Sequence, residues 1–173
     1  MKKVLPFFAL FLAYSGAMAQ AYPSFSNPHE AKFNIGLFLA TGSAEMSYEY
    51  YLNEDTSLGA LIYFDGKPED FNGNFGVGPF ARAYFGNIPR SGPFAEAFLL
   101  FYSGEDEIDN NDLGDRNRDY STTALGLGAG YKLVTFSNRF TLEANGGAGR
   151  NINPEDFQSS FVFRAGLSIG YRF

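Results

Sequence analysis

The sequence predicts an all-β fold, an eight-stranded antiparallel up-and-down β-barrel, from three observations. Apolar and polar residues alternate with period two in eight segments, as in strands that have one apolar and one polar face. The chain contains 20 Gly, 20 Phe and 11 Tyr, and polar connections separate the segments. Mean hydropathy is −0.17, and after the first 19 residues no run approaches the roughly 18 apolar residues of a membrane-spanning helix.

The first 19 residues have the features of a secretory signal peptide. Lys2 and Lys3 precede an apolar run over 4–14, and Ala17-Met18-Ala19 matches the small-residue cleavage pattern. We therefore expect export and cleavage after Ala19. The remainder divides into a short N-terminal periplasmic segment, 20–31, and a barrel domain, 32–173.

The first three strands are expected at 32–41, 44–52 and 57–65. The outward face of the first consists of Phe33, Ile35, Leu37 and Leu39. The outward face of the second consists of Met46, Tyr48, Tyr50 and Leu52. The outward face of the third consists of Leu58, Ala60, Ile62 and Phe64. Each set occupies alternate positions, so each segment presents one apolar face.

The fourth and fifth strands, 75–85 and 94–103, are oriented by one charged residue each. We expect Arg82 to point inward, together with Phe80 and Tyr84. We expect Glu96 to point inward as well, which also turns inward Phe94, Phe98 and Leu100. The charged residue decides which face points inward, because a charge on the apolar face would have no partner.

The last three strands are expected at 121–133, 139–149 and 160–173. The outward face of the sixth consists of Leu125, Leu127, Ala129, Tyr131 and Leu133. The outward face of the seventh consists of Phe140, Leu142, Ala144 and Ala148. The eighth strand alternates most regularly, with the outward face Phe161, Phe163, Ala165, Leu167, Ile169, Tyr171 and Phe173.

The connections differ in length between the two ends of the predicted barrel. Those at 53–56, 86–93 and 134–138 are shorter than those at 66–74, 104–120 and 151–159, although the first connection, 41–43, is tight. The segment 104–120 is predicted to be an acidic loop containing Glu105, Asp106, Glu107, Asp109, Asp112, Asp115 and Asp119. Brief turns at one end and longer polar loops at the other are typical of outer-membrane barrels.

The non-apolar face carries charges of both signs in equal number: Glu45, Glu49, Glu96 and Glu143 against Arg82, Lys132, Arg164 and Arg172. This balance, with many small glycines beside long side chains, favours a packed lumen with paired charges over a wet pore. Counting from the centres of the hairpins predicts two cross-strand lumen ion pairs, Arg82 with Glu96 and Glu143 with Arg164.

Two segments resemble known proteins. The alternation of Leu167, Ile169, Tyr171 and Phe173 resembles the C-terminal signature of outer-membrane β-barrels, and residues 78–85 are similar to strands of the same proteins. Over 32–173 the chain resembles the small outer-membrane β-barrel superfamily, which includes OmpA-type transmembrane domains, OmpX and opacity proteins. The resemblance implies a transmembrane barrel in a Gram-negative outer membrane. It also implies contact with the bilayer and outer-membrane lipids, and an assembly signal in those four residues that the barrel-assembly machinery reads.

Several classes of function are disfavoured by composition. A net charge of −6 argues against nucleic-acid partners, and the absence of cysteine excludes thiolate metal sites. The acidic loop departs from a calcium-binding loop, because Leu113 and Tyr120 stand where oxygen ligands are needed. His29 is the only histidine and is expected in the solvated segment before the first strand. We therefore expect no catalytic residue, no metal and no cofactor.

Three functions remain after these exclusions. The favoured one is a structural or surface-interaction role, such as adhesion or binding, through the loops at the outer end of the barrel. The alternative is a narrow channel for small solutes. The third is a lipid-modifying barrel enzyme, which a single histidine disfavours because such enzymes pair a histidine base with a nucleophile and an acid.

Overall fold

The computed structural model describes residues 27–66, 73–108, 116–152, 154 and 159–173. These residues form a closed barrel of eight antiparallel strands, each paired with its neighbours along the chain. The elements are β1 His29–Asn34, α1 Ile35–Thr41, β2 Ala44–Tyr51, β3 Thr56–Phe64, β4 Phe75–Tyr84, β5 Gly92–Ile108, β6 Arg116–Val134, β7 Phe140–Asn151 and β8 Phe161–Arg172. The predicted signal peptide lies outside the described residues, as do the residues 20–26 of the segment that follows it.

Pairing of the first and last strands closes the barrel. Glu30 lies opposite Arg172, and the register continues to Asn34 opposite Ser168. His29 and Phe173 exchange both backbone hydrogen bonds, at 3.2 and 2.9 Å. The barrel therefore begins at His29, three residues before the predicted start, and the predicted up-and-down topology is confirmed.

The predicted inward and outward faces of β2 through β8 are confirmed by burial. Tyr63, Phe80 and Phe98 point into the lumen and are buried, whereas Met46 and Leu127 are exposed on the outside. A polar or aromatic interior behind an apolar exterior follows from the period-two alternation of the sequence.

Several large rings in the lumen lie opposite glycines on neighbouring strands. The register pairs Gly59 with Phe80, Tyr63 with Gly76, Phe94 with Gly130 and Phe98 with Gly126. A Cβ atom at these glycines would come within 2.1 to 2.5 Å of the opposing ring. The glycines therefore supply the space that aromatic side chains need in an eight-stranded interior.

The predicted first strand, 32–41, is wrong beyond Asn34, because residues 35–41 form the short helix α1. The Asn34 side chain accepts the Leu37 backbone N–H at 3.0 Å and caps the helix start. Gly42, with φ of 83°, ends the helix and donates its N–H to the Phe38 carbonyl at 2.9 Å. Leu37 is consequently buried, not outward. A short apolar run fits a strand or a helix equally, and here the caps decide.

None of the helices in the described ranges is long and apolar enough to cross a membrane. The helix α1 has seven residues and packs against β8, where a Cβ at Gly36 would lie 2.9 Å from the Leu167 Cβ. The helix thus covers the edge of β8 beyond Asn34, where β1 ends.

The predicted acidic loop at 104–120 is also corrected. Strands β5 and β6 continue through most of it, from Gly104 opposite Tyr120 to Ile108 opposite Arg116, and residues 109–115 lie outside the described residues. The pairing of β4 with β5 ends at Ser103, and that of β7 with β6 ends at Ala124. Residues 104–108 and 116–120 thus form the paired strands of a hairpin that projects beyond the neighbouring strands, which we call the projecting hairpin. The sequence concealed it because residues 104–120 are rich in charge and show no apolar alternation.

Candidate functional site

Eight charged side chains are buried together in the lumen, in the half of the barrel that carries the short connections. We call this group the lumen charge cluster, and its members are Glu30, Lys32, Glu49, Arg82, Glu96, Lys132, Glu143 and Arg172. They come from seven of the eight strands, and every member is at most 6% exposed. Four acids and four bases balance one another, as a buried ionic group requires.

Lys132 lies at the centre of the cluster. Its Nζ is 2.8 Å from the Glu49 carboxylate, 3.1 Å from that of Glu143 and 3.2 Å from that of Glu30. It also donates a hydrogen bond to the Tyr51 hydroxyl at 2.9 Å. One ammonium therefore compensates three carboxylates that lie on three other strands.

Glu49 accepts hydrogen bonds from side chains of four strands. The Lys32 ammonium donates at 2.7 Å, the Arg82 guanidinium at 3.1 Å and the Ser57 hydroxyl at 2.5 Å. The Tyr84 hydroxyl donates to Oε1, the oxygen that also accepts from Ser57, whereas Lys32 and Arg82 donate to Oε2. Both carboxylate oxygens are satisfied in this way, which offsets the cost of burying the charge.

Arg82 connects the cluster to the aromatic part of the lumen. Its guanidinium is 2.7 Å from the carboxylate of its cross-strand partner Glu96 and 2.7 Å from that of Glu143. The same guanidinium lies over the rings of Phe80 and Phe94, at 4.5 and 4.4 Å from their centroids. The carboxylates contact the edge of the guanidinium and the two rings contact its faces, so these contacts together determine the orientation of the Arg82 side chain.

The expected pair of Glu143 with Arg164 does not form. The register places Glu143 opposite Ser168 and Arg164 opposite Gly147, an offset of four residues from the predicted pairing. Glu143 contacts Lys32, Arg82 and Lys132 instead. Arg164 contacts Glu96 at 3.0 Å and Glu45 at 3.7 Å. The centre of the hairpin between β7 and β8 therefore lies further along the chain than the predicted pairing of Glu143 with Arg164 assumes.

Glu30 and Lys32 are the two members of the cluster that were missed from the sequence. Glu30 accepts hydrogen bonds from Arg172 at 2.9 Å, from Thr141 at 2.7 Å and from the Tyr51 hydroxyl. The sequence prediction assigns Glu30 to the segment before the barrel, 20–31. Its alternation with Lys32 on one face, against Ala31 and Phe33 on the other, was the available signal.

Carboxylate oxygens of Glu30, Glu49 and Glu143 lie within 4.8 Å of one another, a spacing that would suit a metal ion. The Lys132 ammonium contacts all three, so a protein cation already holds the position that a metal would take. The arrangement compensates charge and holds strands together.

His29 lies on the outside of the barrel, in β1 and not in the linker predicted from the sequence. Its Nδ1 is 2.5 Å from the Tyr48 hydroxyl, and its ring stacks on Phe173 at 5.7 Å between centroids. No buried acid and nucleophile accompany it in the described part of the chain. It belongs to an aromatic group at the seam between β1 and β8.

Above the lumen charge cluster the interior contains a contiguous apolar group. The residues that fill it are Leu61, Tyr63, Phe80, Phe98, Leu100, Tyr102, Ala124 and Val162. All are at most 6% exposed and they form one contiguous cluster. The lumen is therefore occupied by charges at one end and by packed rings and aliphatic chains at the other.

Comparisons with known proteins agree with this architecture. No protein-family model matches the sequence, and no curated protein matches it. The N-terminal β-barrel domain of Pseudomonas aeruginosa OprF matches with a TM-score of 0.56 and 18% identity, over 86% of this chain and 98% of that domain. The chain therefore shares the fold of that β-barrel domain. Neisserial surface protein A is also similar, with a TM-score of 0.44 and 16% identity over 83% of this chain and 92% of the other.

On this barrel fold, the residues predicted as the assembly signal occupy the outer face of β8. Leu167, Ile169 and Tyr171 are exposed on the exterior, and Phe173 pairs with His29 at the seam. Their recognition by the assembly machinery stays a prediction. Of the acidic loop residues, Asp109, Asp112 and Asp115 lie outside the described residues. Glu105, Asp106, Glu107 and Asp119 belong to the paired strands of the projecting hairpin.

Proposed function

We propose that the protein spans the bacterial outer membrane as a closed scaffold and acts at the cell surface through the projecting hairpin. The observation that carries this proposal is the continuous pairing of β5 with β6 beyond both neighbouring strands, out to Ile108 opposite Arg116. A strand of about ten residues suffices to cross a membrane. Strands β5 and β6 have 17 and 19 residues, so they are longer than crossing the membrane requires.

The exterior supports a membrane location. Large apolar side chains are exposed around the barrel, with Leu127 at 72% and Phe163 at 65%. Aromatic residues lie near the strand ends, among them Phe140, Phe161 and Tyr171. Such a surface would aggregate in water, whereas a bilayer buries the apolar band and its aromatic rims.

The filled lumen argues against the channel alternative. A continuous water path would require the buried rings to leave their glycine partners and the cluster charges to separate, and each separated buried charge is costly. In planar bilayers we therefore expect no stable, ion-selective conductance. A steady conductance, present in the wild-type protein and reduced by a bulkier lumen residue, would contradict the closed scaffold.

The charge of the hairpin indicates the class of partner. Residues 104–120 contain seven acidic residues and two arginines, Arg116 and Arg118. Such a surface repels polyanions and attracts cationic partners. We propose a basic protein or peptide surface as the ligand.

The test replaces 105–119 with a short Gly-Ser turn and leaves Gly104 and Tyr120 in place. We expect an unchanged heat-modifiable, folded fraction, because in its described part, 105–108 and 116–119, the segment pairs with no strand other than its own two. We also expect loss of binding to a cationic peptide on whole cells. A matched variant that changes Glu105, Asp106 and Glu107 to their amides keeps the hairpin and should weaken the same binding. Failure of the trimmed protein to fold would show that the hairpin is structural, and unchanged binding would refute its role.

A further inference from the structure

Arg150 is the one charged residue that the described strands carry on the outward wall of the barrel below the projecting hairpin. It is exposed on β7, between Leu125 of β6 and Phe161 of β8. Within the described residues, no carboxylate lies in ion-pair distance of its guanidinium. Because a charge beside apolar surface is costly without a partner, the partner of Arg150 comes from outside the barrel.

The position of Arg150 along β7 places it at the outer rim of the membrane. Phe140, at the other end of β7, belongs to the aromatic rim nearer the short connections. From Phe140 to Arg150 the strand advances by ten residues, which is about 33 Å along the strand and about 25 Å in depth at a tilt of about 40°. That depth matches the apolar band of an outer-membrane barrel, so Arg150 lies at the level of the outer-leaflet headgroups.

A shallow groove runs from Arg150 down the outside of β7. The outward positions below Arg150 are small, namely Ala148, Gly146 and Ala144. A Cβ at Gly146 would meet no atom closer than 3.9 Å, so the floor of the groove is open to the outside. Larger outward side chains of β6 and β8 flank these positions: Leu127, Tyr131, Phe163 and Leu167.

The groove has the length of one acyl chain. From Arg150 to Ala144 the strand advances by six residues, which is about 15 Å in depth at the same tilt. Half of a hydrocarbon core about 30 Å thick has the same depth. The groove therefore extends from the outer headgroups to the middle of the bilayer, as the chain of an outer-leaflet lipid does.

A cavity of about 320 Å³ surrounds the upper end of the groove. It is lined by Leu125, Arg150, Asn151, Ile152, Pro154 and Ser160. The lining thus combines a guanidinium and a serine hydroxyl with aliphatic side chains. Guanidinium groups bind phosphate through charge-assisted hydrogen bonds, and a hydroxyl donates to the same oxygens. The cavity is therefore complementary to a phosphate that is joined to an apolar body.

We propose that Arg150, this cavity and the groove below it bind the phosphorylated glycolipid of the outer leaflet, lipid A. One phosphate lies at Arg150 and one acyl chain lies over Ala148 and Gly146. The inference rests on the membrane location and orientation proposed above. A phospholipid of the periplasmic leaflet would have its phosphate at the opposite rim, about 25 Å from Arg150. A second copy of the chain would have to offer an acid to Arg150, and the described outward wall below the projecting hairpin holds none.

The main test measures the lipid that the full barrel retains in native mass spectrometry. The purified barrel is incubated in detergent with equimolar lipid A, carrying both phosphates, and palmitoyl-oleoyl phosphatidylglycerol. We expect one lipid A per wild-type barrel, retained in preference to phosphatidylglycerol. Arg150→Gln should reduce the fraction bound to lipid A about tenfold, because it removes a charge-assisted bond to phosphate. Ala148→Phe should also reduce it by filling the groove.

Two matched controls make the same changes away from the site. Arg139→Gln removes an exposed arginine at the opposite rim, and Ala81→Phe enlarges an exposed outward alanine of β4. Both variants should retain lipid A as the wild type does. Heat-modifiable migration of every variant shows that the barrels compared are folded.

A second comparison needs no change in the wild-type protein. Dephosphorylated lipid A should bind the wild type about tenfold more weakly than lipid A does, whereas Arg150→Gln should bind the two forms equally. This double comparison separates the contact with phosphate from the contact with the acyl chains.

Three results would overturn the lipid A site: equal retention of lipid A by the wild type and Arg150→Gln, equal binding of the two forms of lipid A to the wild type, or preferential retention of phosphatidylglycerol. Equal losses in Ala148→Phe and Ala81→Phe would overturn the groove. None of these outcomes affects the proposed surface function, which is tested by peptide binding to the projecting hairpin. The membrane location that both proposals share fails separately, if the wild-type barrel is extracted from membranes by alkaline carbonate.

Discussion

Replacing Lys132 with methionine is expected to lower the free energy of unfolding by about 3–5 kcal/mol, the usual cost of breaking a buried ion pair from one side. The ammonium of Lys132 contacts the carboxylates of Glu30, Glu49 and Glu143, all of which are buried. Methionine keeps the volume of the side chain and removes the charge, so the acids lose their central counterion. Reversible guanidinium unfolding in phospholipid vesicles measures the difference.

The matched control removes a cation from the outside of the barrel. Arg150→Met changes an exposed residue of β7 and should alter stability by no more than about 0.5 kcal/mol. The double variant Lys132→Met with Glu49→Gln should recover part of the loss, because it restores charge balance in the cluster. A Lys132 variant as stable as the Arg150 control would show that the lumen charge cluster is not a source of stability.

Adding one methyl group inside the lumen is expected to have the second large effect. Gly59→Ala would place a Cβ 2.2 Å from the ring of Phe80 and 2.5 Å from the Tyr48 carbonyl oxygen. Because one obstacle is backbone, a rotated ring alone cannot relieve the overlap, and we expect a loss of about 1–3 kcal/mol. The same unfolding measurement applies.

The control for this change lies on the next residue of the same strand. Ala60→Val adds two carbons on the outward face, where Ala60 is exposed, and should leave the stability near that of the wild type. If Gly59→Ala and Ala60→Val were equally stable, the pairing of lumen rings with glycines would be incidental to packing.

The sequence by itself determined the number of strands and the faces of β2 through β8. Inward Arg82, Phe98 and Lys132 and outward Met46 and Leu127 follow from period-two alternation, because neighbouring side chains of a strand must point to opposite sides. Even in the two less regular strands, one charged residue each was enough to choose the face, since a charge on the apolar exterior would be without partners.

Tertiary structure alone decided the ends of elements and the partners of charges. Asn34 caps α1 and also accepts the Leu167 N–H at 3.2 Å, a contact that exists only once β8 is in place. Glu143 meets Lys32 rather than Arg164, because partners across a lumen depend on the register of all eight strands together. Alternation specifies a direction for each side chain, whereas the closure of the barrel specifies what each one meets.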